Sequence, residues 1–103
     1  MTLTSIKRVG ILLRPSTPEL KEMFFDVKKI LESYSIEVII DHISGGMIDV
    51  MGQPFEMMCK KVDMLITIGG DGTLISAVRR SYVHQLPVLG IHAGKLGFLA
   101  DLD

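Results

Sequence analysis

Met64-Leu65-Ile66-Thr67-Ile68-Gly69-Gly70-Asp71-Gly72-Thr73-Leu74 runs from a continuous apolar stretch straight into a glycine-rich loop. Residues 64–68 read as a strand buried on both faces, the pattern of a parallel sheet. A helix over Leu74–Ser81 follows, starting near Thr73. This order puts the loop at the carboxyl end of its strand, where open parallel sheets bind ligands. Glycines there reach backbone angles that other residues avoid. They also let backbone N–H groups approach a phosphate with no Cβ in the way. The positive end of the following helix favours the same anion.

Outward from the loop the same alternation repeats. Val9–Leu13 is another continuous apolar run, closed by Arg14-Pro15. Ser16 or Thr17 is placed to cap a helix, Pro18 suits its first turn, and Ser16 with Glu19 matches a capping box. Leu20, Met23, Phe24, Val27, Ile30 and Leu31 recur at helical spacing and predict one apolar face. Lys21, Glu22, Lys28, Lys29 and Glu32 fall between them and read as a solvated surface. Ile36–Ile40, rich in β-branched residues, predicts a second strand closed by Asp41. Residues 43–52 show no clear period, and Gly45-Gly46 signals a turn. Pro54–Lys61 predicts a short helix with Phe55, Met58 and Cys59 on one side, and Val88–Ile91 after Pro87 predicts a fourth strand. The order β-α-β-α-β-α-β predicts an α/β fold, a Rossmann-like parallel sheet flanked by helices.

The 103 residues suffice for one domain, 1–103, with 48% hydrophobic and 22% charged residues, an ordinary globular balance. A net charge of -1 gives no electrostatic reason to expect nucleic acid or an anionic membrane as partner. Cys59 is the only cysteine, so no intramolecular disulfide forms, which fits a cytoplasmic protein. Cys59 itself reads as a small packed hydrophobe. Lys7 and Arg8 precede only a short apolar run with no small-residue cleavage site, so no signal peptide is expected. No apolar stretch approaches the ~20 residues of a membrane helix.

Asp71 is the loop residue that carries chemistry. A carboxylate beside a phosphate site repels its ligand unless it has a task. It can hold Mg²⁺ shared with the phosphates, or accept a proton from an attacking hydroxyl. The competing reading is that Asp71 caps the helix and the glycines make a tight turn. Two other phosphate motifs fail. A P-loop needs Ser or Thr after Gly-Lys, but Gly94-Lys95 precedes Leu96; a dinucleotide fingerprint from Gly70 needs its third glycine at Ile75. His42 and His84 form no metal-ligand constellation, so no metal site is assigned.

Ile68-Gly69-Gly70-Asp71-Gly72-Thr73-Leu74 resembles the signature shared by NAD kinases, diacylglycerol and sphingosine kinases, and phosphofructokinases. A second block, Gly90-Ile91-His92-Ala93-Gly94-Lys95-Leu96-Gly97-Phe98-Leu99, resembles the stretch that NAD kinases carry after their fourth strand. The Gly-Thr-x-Asn-Asp block of lipid kinases is absent there. Ala77 and Arg79 between the blocks, and Arg14-Pro15 after the first strand, fit the same family. One departure is His92, where NAD kinases usually have Asn.

The resemblance implies transfer of a phosphoryl group from ATP or polyphosphate to the 2′-hydroxyl of the adenosine ribose of NAD. It implies NAD as substrate, Mg²⁺ or another divalent cation arriving with ATP, and Asp71 as the catalytic residue. Gly69, Gly70, Asp71, Gly72 and Thr73 match the phosphate-facing loop, and Phe98 matches an aromatic near the adenine of NAD. It also implies a two-domain kinase, homo-oligomeric at full length, whose second, mostly β, NAD-binding domain is missing from this chain. The 103 residues are then expected to be inactive alone. The alternatives are a diacylglycerol- or sphingosine-type lipid kinase and a non-catalytic nucleotide-binding module.

Overall fold

A computed structural model describes residues 5–93. Its strands are β1 (Arg8–Leu13), β2 (Glu37–Ile40), β3 (Met64–Gly69) and β4 (Val88–His92), all parallel, in the sheet order β2-β1-β3-β4. Its helices are α1 (Lys21–Ser33), α2 (His42–Met47), α3 (Phe55–Lys61) and α4 (Asp71–Arg80). Short 3₁₀ turns cover Pro18–Leu20 and Tyr82–His84. The chain steps outward from β1 to β2, returns past β1 to β3, and continues to β4. That reversal between β1 and β3 opens a crevice at the carboxyl edge of the sheet, the switch point where such folds take ligands.

β1 has a neighbour on each side, with Ile11 paired to both Ile40 and Ile66. Its residues therefore alternate between two buried faces. Val9, Ile11 and Leu13 pack with Leu20, Phe24, Ile66 and Ile68 under α1. Leu12 points the other way, into a cluster with Phe55, Met58, Cys59, Leu65 and Ala77 from α3, β3 and α4. The two clusters explain why the strands carry unbroken apolar runs rather than alternating ones.

Several local expectations are corrected. The capping box at Ser16 and Glu19 does not form. Ser16 takes a positive φ of 55°, and the Thr17 hydroxyl donates back to the Pro15 carbonyl at 2.9 Å. Pro18 starts a 3₁₀ turn instead, and α1 proper begins at Lys21. Ile30 leaves the apolar face and is 58% exposed, while Leu20 and Phe24 are buried as expected. Gly45-Gly46 lies inside α2 rather than in a turn. A Cβ on Gly45 would stand 2.4 Å from the Val50 carbonyl oxygen, so the glycine lets the following loop fold back onto the helix.

Cys59 is buried, and desolvation, reinforced by the Glu56 carboxylate, pushes its thiol up to about 11 from 9.0. The folded chain thus holds the proton more tightly than the unfolded one. The stability this contributes is full below pH 9.0 and is lost as pH rises from 9.0 towards about 11. Urea melts at pH 8, 9.5 and 11 are expected to show this loss, and a Cys59→Ala variant to lack that component of it.

Candidate functional site

The site forms where four strand ends meet. β3 ends at Gly69, whose carbonyl accepts the Ala93 N–H at 2.8 Å, and β1 ends where the Arg14 N–H donates to the Ile68 carbonyl at 2.9 Å. Between and above these ends lies a cavity of about 930 Å³ lined by the segments 12–16, 70–73 and 92–93. The start of α2 and one stripe of α4 complete the wall. The structure thus brings Gly70, Asp71, Gly72 and Thr73 together at the switch point.

α4 starts at Asp71, earlier than the apolar pattern of 74–81 predicts, with Gly70 as its N-cap. The earlier start turns the loop itself into the first helical turn, so its N–H groups have no acceptor inside the helix. They face the crevice together with the positive end of the helix dipole. Asp71 is exposed and lines the cavity. Its side chain makes no cap: the N-terminus of α4 has no side-chain hydrogen bond. Among the described residues the Asp71 carboxylate has neither a hydrogen-bond donor nor a cation within salt-bridge distance. The capping alternative for Asp71 therefore fails.

The glycines work differently from expectation. None of Gly69, Gly70 and Gly72 takes a left-handed φ, and Gly70 sits at φ -129°, ψ -164°, ordinary extended backbone. Conformational freedom is not their use. Gly69 is needed by close approach: a Cβ would stand 2.8 Å from both the Arg14 Cβ and the Thr73 Oγ1. Around Gly70 and Gly72 a Cβ would meet nothing within 4 Å among the described residues, so neither glycine is required there by the packing of residues 5–93. Gly69→Ala is expected to cost roughly 1–3 kcal/mol. Gly72→Ala is expected to leave stability unchanged or raise it by up to ~1 kcal/mol, since alanine suits a helix better. Thermal melts of the two variants check the contrast.

Other residues join the site that the glycine motif alone does not reveal. Asp41 is buried, and its Oδ2 accepts the Ile43 and Ser44 N–H groups at 3.2 and 3.3 Å, capping α2. Ser44 Oγ in turn accepts the Leu13 N–H at 2.9 Å, tying α2 to the end of β1. Arg14 and Arg80 bring positive charge to the cavity wall. Arg80 lies over the Phe55 ring, its Cζ 3.9 Å from the ring centre. Such a contact is worth about 0.5–2 kcal/mol. The available signal for Arg14 and Asp41 was position: each directly follows a strand of a parallel sheet. Arg80 gave none, because its place depends on the packing of α4 against α3.

His84 pairs with Glu56 at 2.9 Å, away from the cavity wall. His92 and Ala93 line the cavity, but Phe98 and the rest of Gly94–Leu99 lie outside the described residues. No helix among the described residues is long and apolar enough to cross a membrane.

A family model described as "ATP-NAD kinase N-terminal domain" matches residues 9–103. The chain is 55% identical over 100 residues to an NAD kinase of Wolinella succinogenes, covering 97% of the chain and 34% of that protein. It is 55% identical over 98 residues to an NAD kinase of Sulfurimonas denitrificans, covering 95% of the chain and 34% of that protein. An NAD kinase of Helicobacter hepaticus is 50% identical over 97 residues, 94% of the chain and 32% of the relative. The chain thus spans about a third of the length of the curated relatives it matches.

Proposed function

Because the chain belongs to the ATP-NAD kinase N-terminal domain family, we propose that it forms the phosphate-facing half of an enzyme that phosphorylates NAD to NADP. The donor is ATP or polyphosphate, and the acceptor is the 2′-hydroxyl of the adenosine ribose. The observation that carries this reading is Asp71, a carboxylate without a partner among the described residues, set at the head of a helix whose free N–H groups call for an anion. For the fold, a carboxylate there is worth only about 0.3–1 kcal/mol through the helix dipole; a reacting hydroxyl gives it a larger task.

In this mechanism the 2′-oxygen attacks the terminal phosphorus of the donor, and the bond from that phosphorus to the leaving phosphate oxygen breaks. The hydroxyl proton passes to Asp71, which also orients the attacking oxygen. Backbone N–H groups of 70–73 and the Thr73 hydroxyl hold the phosphates. Phe98 contacts the adenine of NAD. The residues present fit a divalent cation shared with the donor rather than one held by the protein alone. Among the described residues no group of three or more His, Cys, Asp or Glu could bind a metal. Such a cation would be held chiefly by the donor phosphates and water, which leaves the Asp71 carboxylate for the hydroxyl proton. Bound there, the cation would neutralise charge on the transferred group.

The reading extends to a second, mostly β, domain that supplies the rest of the NAD pocket, to homo-oligomers at full length, and to a cytoplasmic location. A coupled assay for NADP, with ATP and with polyphosphate, tests it on the full-length protein. Phosphorylation of diacylglycerol in place of NAD would sink it; the kinship to NAD kinases speaks against that outcome.

A further inference from the structure

We propose that Arg80, clamped on the Phe55 ring, is the second anchor of the donor: it binds the far end of a linear phosphate chain whose transferred end lies at the 70–73 loop. The proposal rests on the kinase reading above, and its test separates the two.

The cavity has two positive ends. One is the loop, with the free N–H groups of the first turn of α4. The other is Arg80, the last residue of α4. It stands nine positions after Asp71, about 13–14 Å along the helix axis. A long helical side chain leans back towards the N-terminus, so the guanidinium returns part of that distance. It comes to rest over Phe55, the first residue of α3, with Cζ 3.9 Å from the ring centre. Thr73, Ser76, Ala77 and Arg80 follow the i, i+3, i+4, i+7 stripe of one helix face, and all four line the cavity. Two hydroxyls therefore stand between the two positive ends.

Stacking on Phe55 covers one face of the guanidinium and leaves its N–H edge for hydrogen bonds. Planar Arg suits this arrangement and a lysine ammonium does not. Among the described residues no carboxylate lies within salt-bridge distance of Arg80. Asp41 also lines the cavity, but its carboxylate is engaged by the α2 N–H groups. A single phosphate would satisfy only one end of this arrangement, whereas a chain of phosphates satisfies both. The chain can be the triphosphate of a nucleotide or an inorganic polyphosphate, since both present the same anion.

The test uses the full-length protein and the variants Arg80→Ala, Arg80→Lys and Phe55→Leu. Steady-state kinetics are read for ATP, polyphosphate and NAD, and calorimetry is read with inorganic tripolyphosphate. Arg80→Ala is expected to raise the donor KM about 10- to 30-fold, with kcat within threefold and the KM for NAD within twofold. Tripolyphosphate affinity is expected to fall in parallel. Arg80→Lys and Phe55→Leu are expected to fall between, because each loses the stack and keeps a charge. If ATP alone responds, the chain is the nucleotide's; if both donors respond, the anchor serves either. Donor KM and tripolyphosphate affinity within twofold of the parent in the Ala and Lys variants would overturn the proposal and leave Arg80 a packing residue. A parent protein that makes no NADP overturns the kinase reading, and the tripolyphosphate comparison still decides the role of Arg80. Should Arg80→Ala fail to fold, the Lys and Leu variants carry the same decision.

Discussion

Asp71→Asn in the full-length enzyme is expected to lower kcat for NADP formation by two to four orders of magnitude, roughly the contribution of a positioned general base. Asparagine is nearly isosteric, so substrates should still bind and KM for NAD should move little. The fold should be almost untouched. The Asp71 side chain caps nothing and pairs with nothing among the described residues. Its loss removes only a favourable charge near a helix N-terminus, about 0.3–1 kcal/mol. A coupled NADP assay beside a thermal melt separates chemistry from stability. Turnover within a few-fold of the parent would remove Asp71 from the reaction. A large drop in melting temperature would show that Asp71 instead supports the fold.

Residues 1–103 expressed alone are expected to turn over NAD at least about 10³-fold more slowly than the full-length enzyme, if at all. The reason is geometric. Phosphoryl transfer gives the protein little covalent work and depends on positioning. Well-held reactants gain about 7–11 kcal/mol over free ones. This domain supplies a cavity of about 930 Å³ walled by its own strand ends and helix starts, and it spans about a third of the length of its relatives. The acceptor ribose would be held from one side. The same assay on both forms checks this, and comparable turnover by the short chain would place the whole catalytic site within it.

The strands were legible because burial on both faces leaves unbroken apolar runs, as in Val9–Leu13 and Met64–Ile68, and these survive without knowledge of partners. α1 was legible from its period, apart from Ile30, which overshoots the apolar stripe. α2 was not, because two glycines in six residues carry no helical signal. What makes that helix is the Asp41 cap at its head and the fold-back of the chain at Val50 onto Gly45, local contacts that leave no trace in the apolar period. In the site, the motif marked Gly70–Thr73, but not the start of α4 at Asp71. The apolar period begins only at Leu74, since the first turn faces the crevice and has no apolar side to show. At Gly69 the motif does not show the crowding that bars a side chain there, a Cβ standing 2.8 Å from both the Arg14 Cβ and the Thr73 Oγ1. The assignments of Thr73 and Phe98 rest on resemblance, whereas Asp71 also stands out by its charge beside a phosphate loop.

The unequal crowding around the three loop glycines lets a mutational library tell folding from chemistry within one motif. A screen that reports only soluble expression should discard side chains at Gly69, where a Cβ would collide at 2.8 Å, and accept alanine or serine at Gly70 and Gly72. A growth selection that depends on NADP supply should reject substitutions at all three positions. Positions that pass the first filter and fail the second would be those the motif keeps bare for chemistry rather than for folding, read out in surviving codons rather than in coordinates.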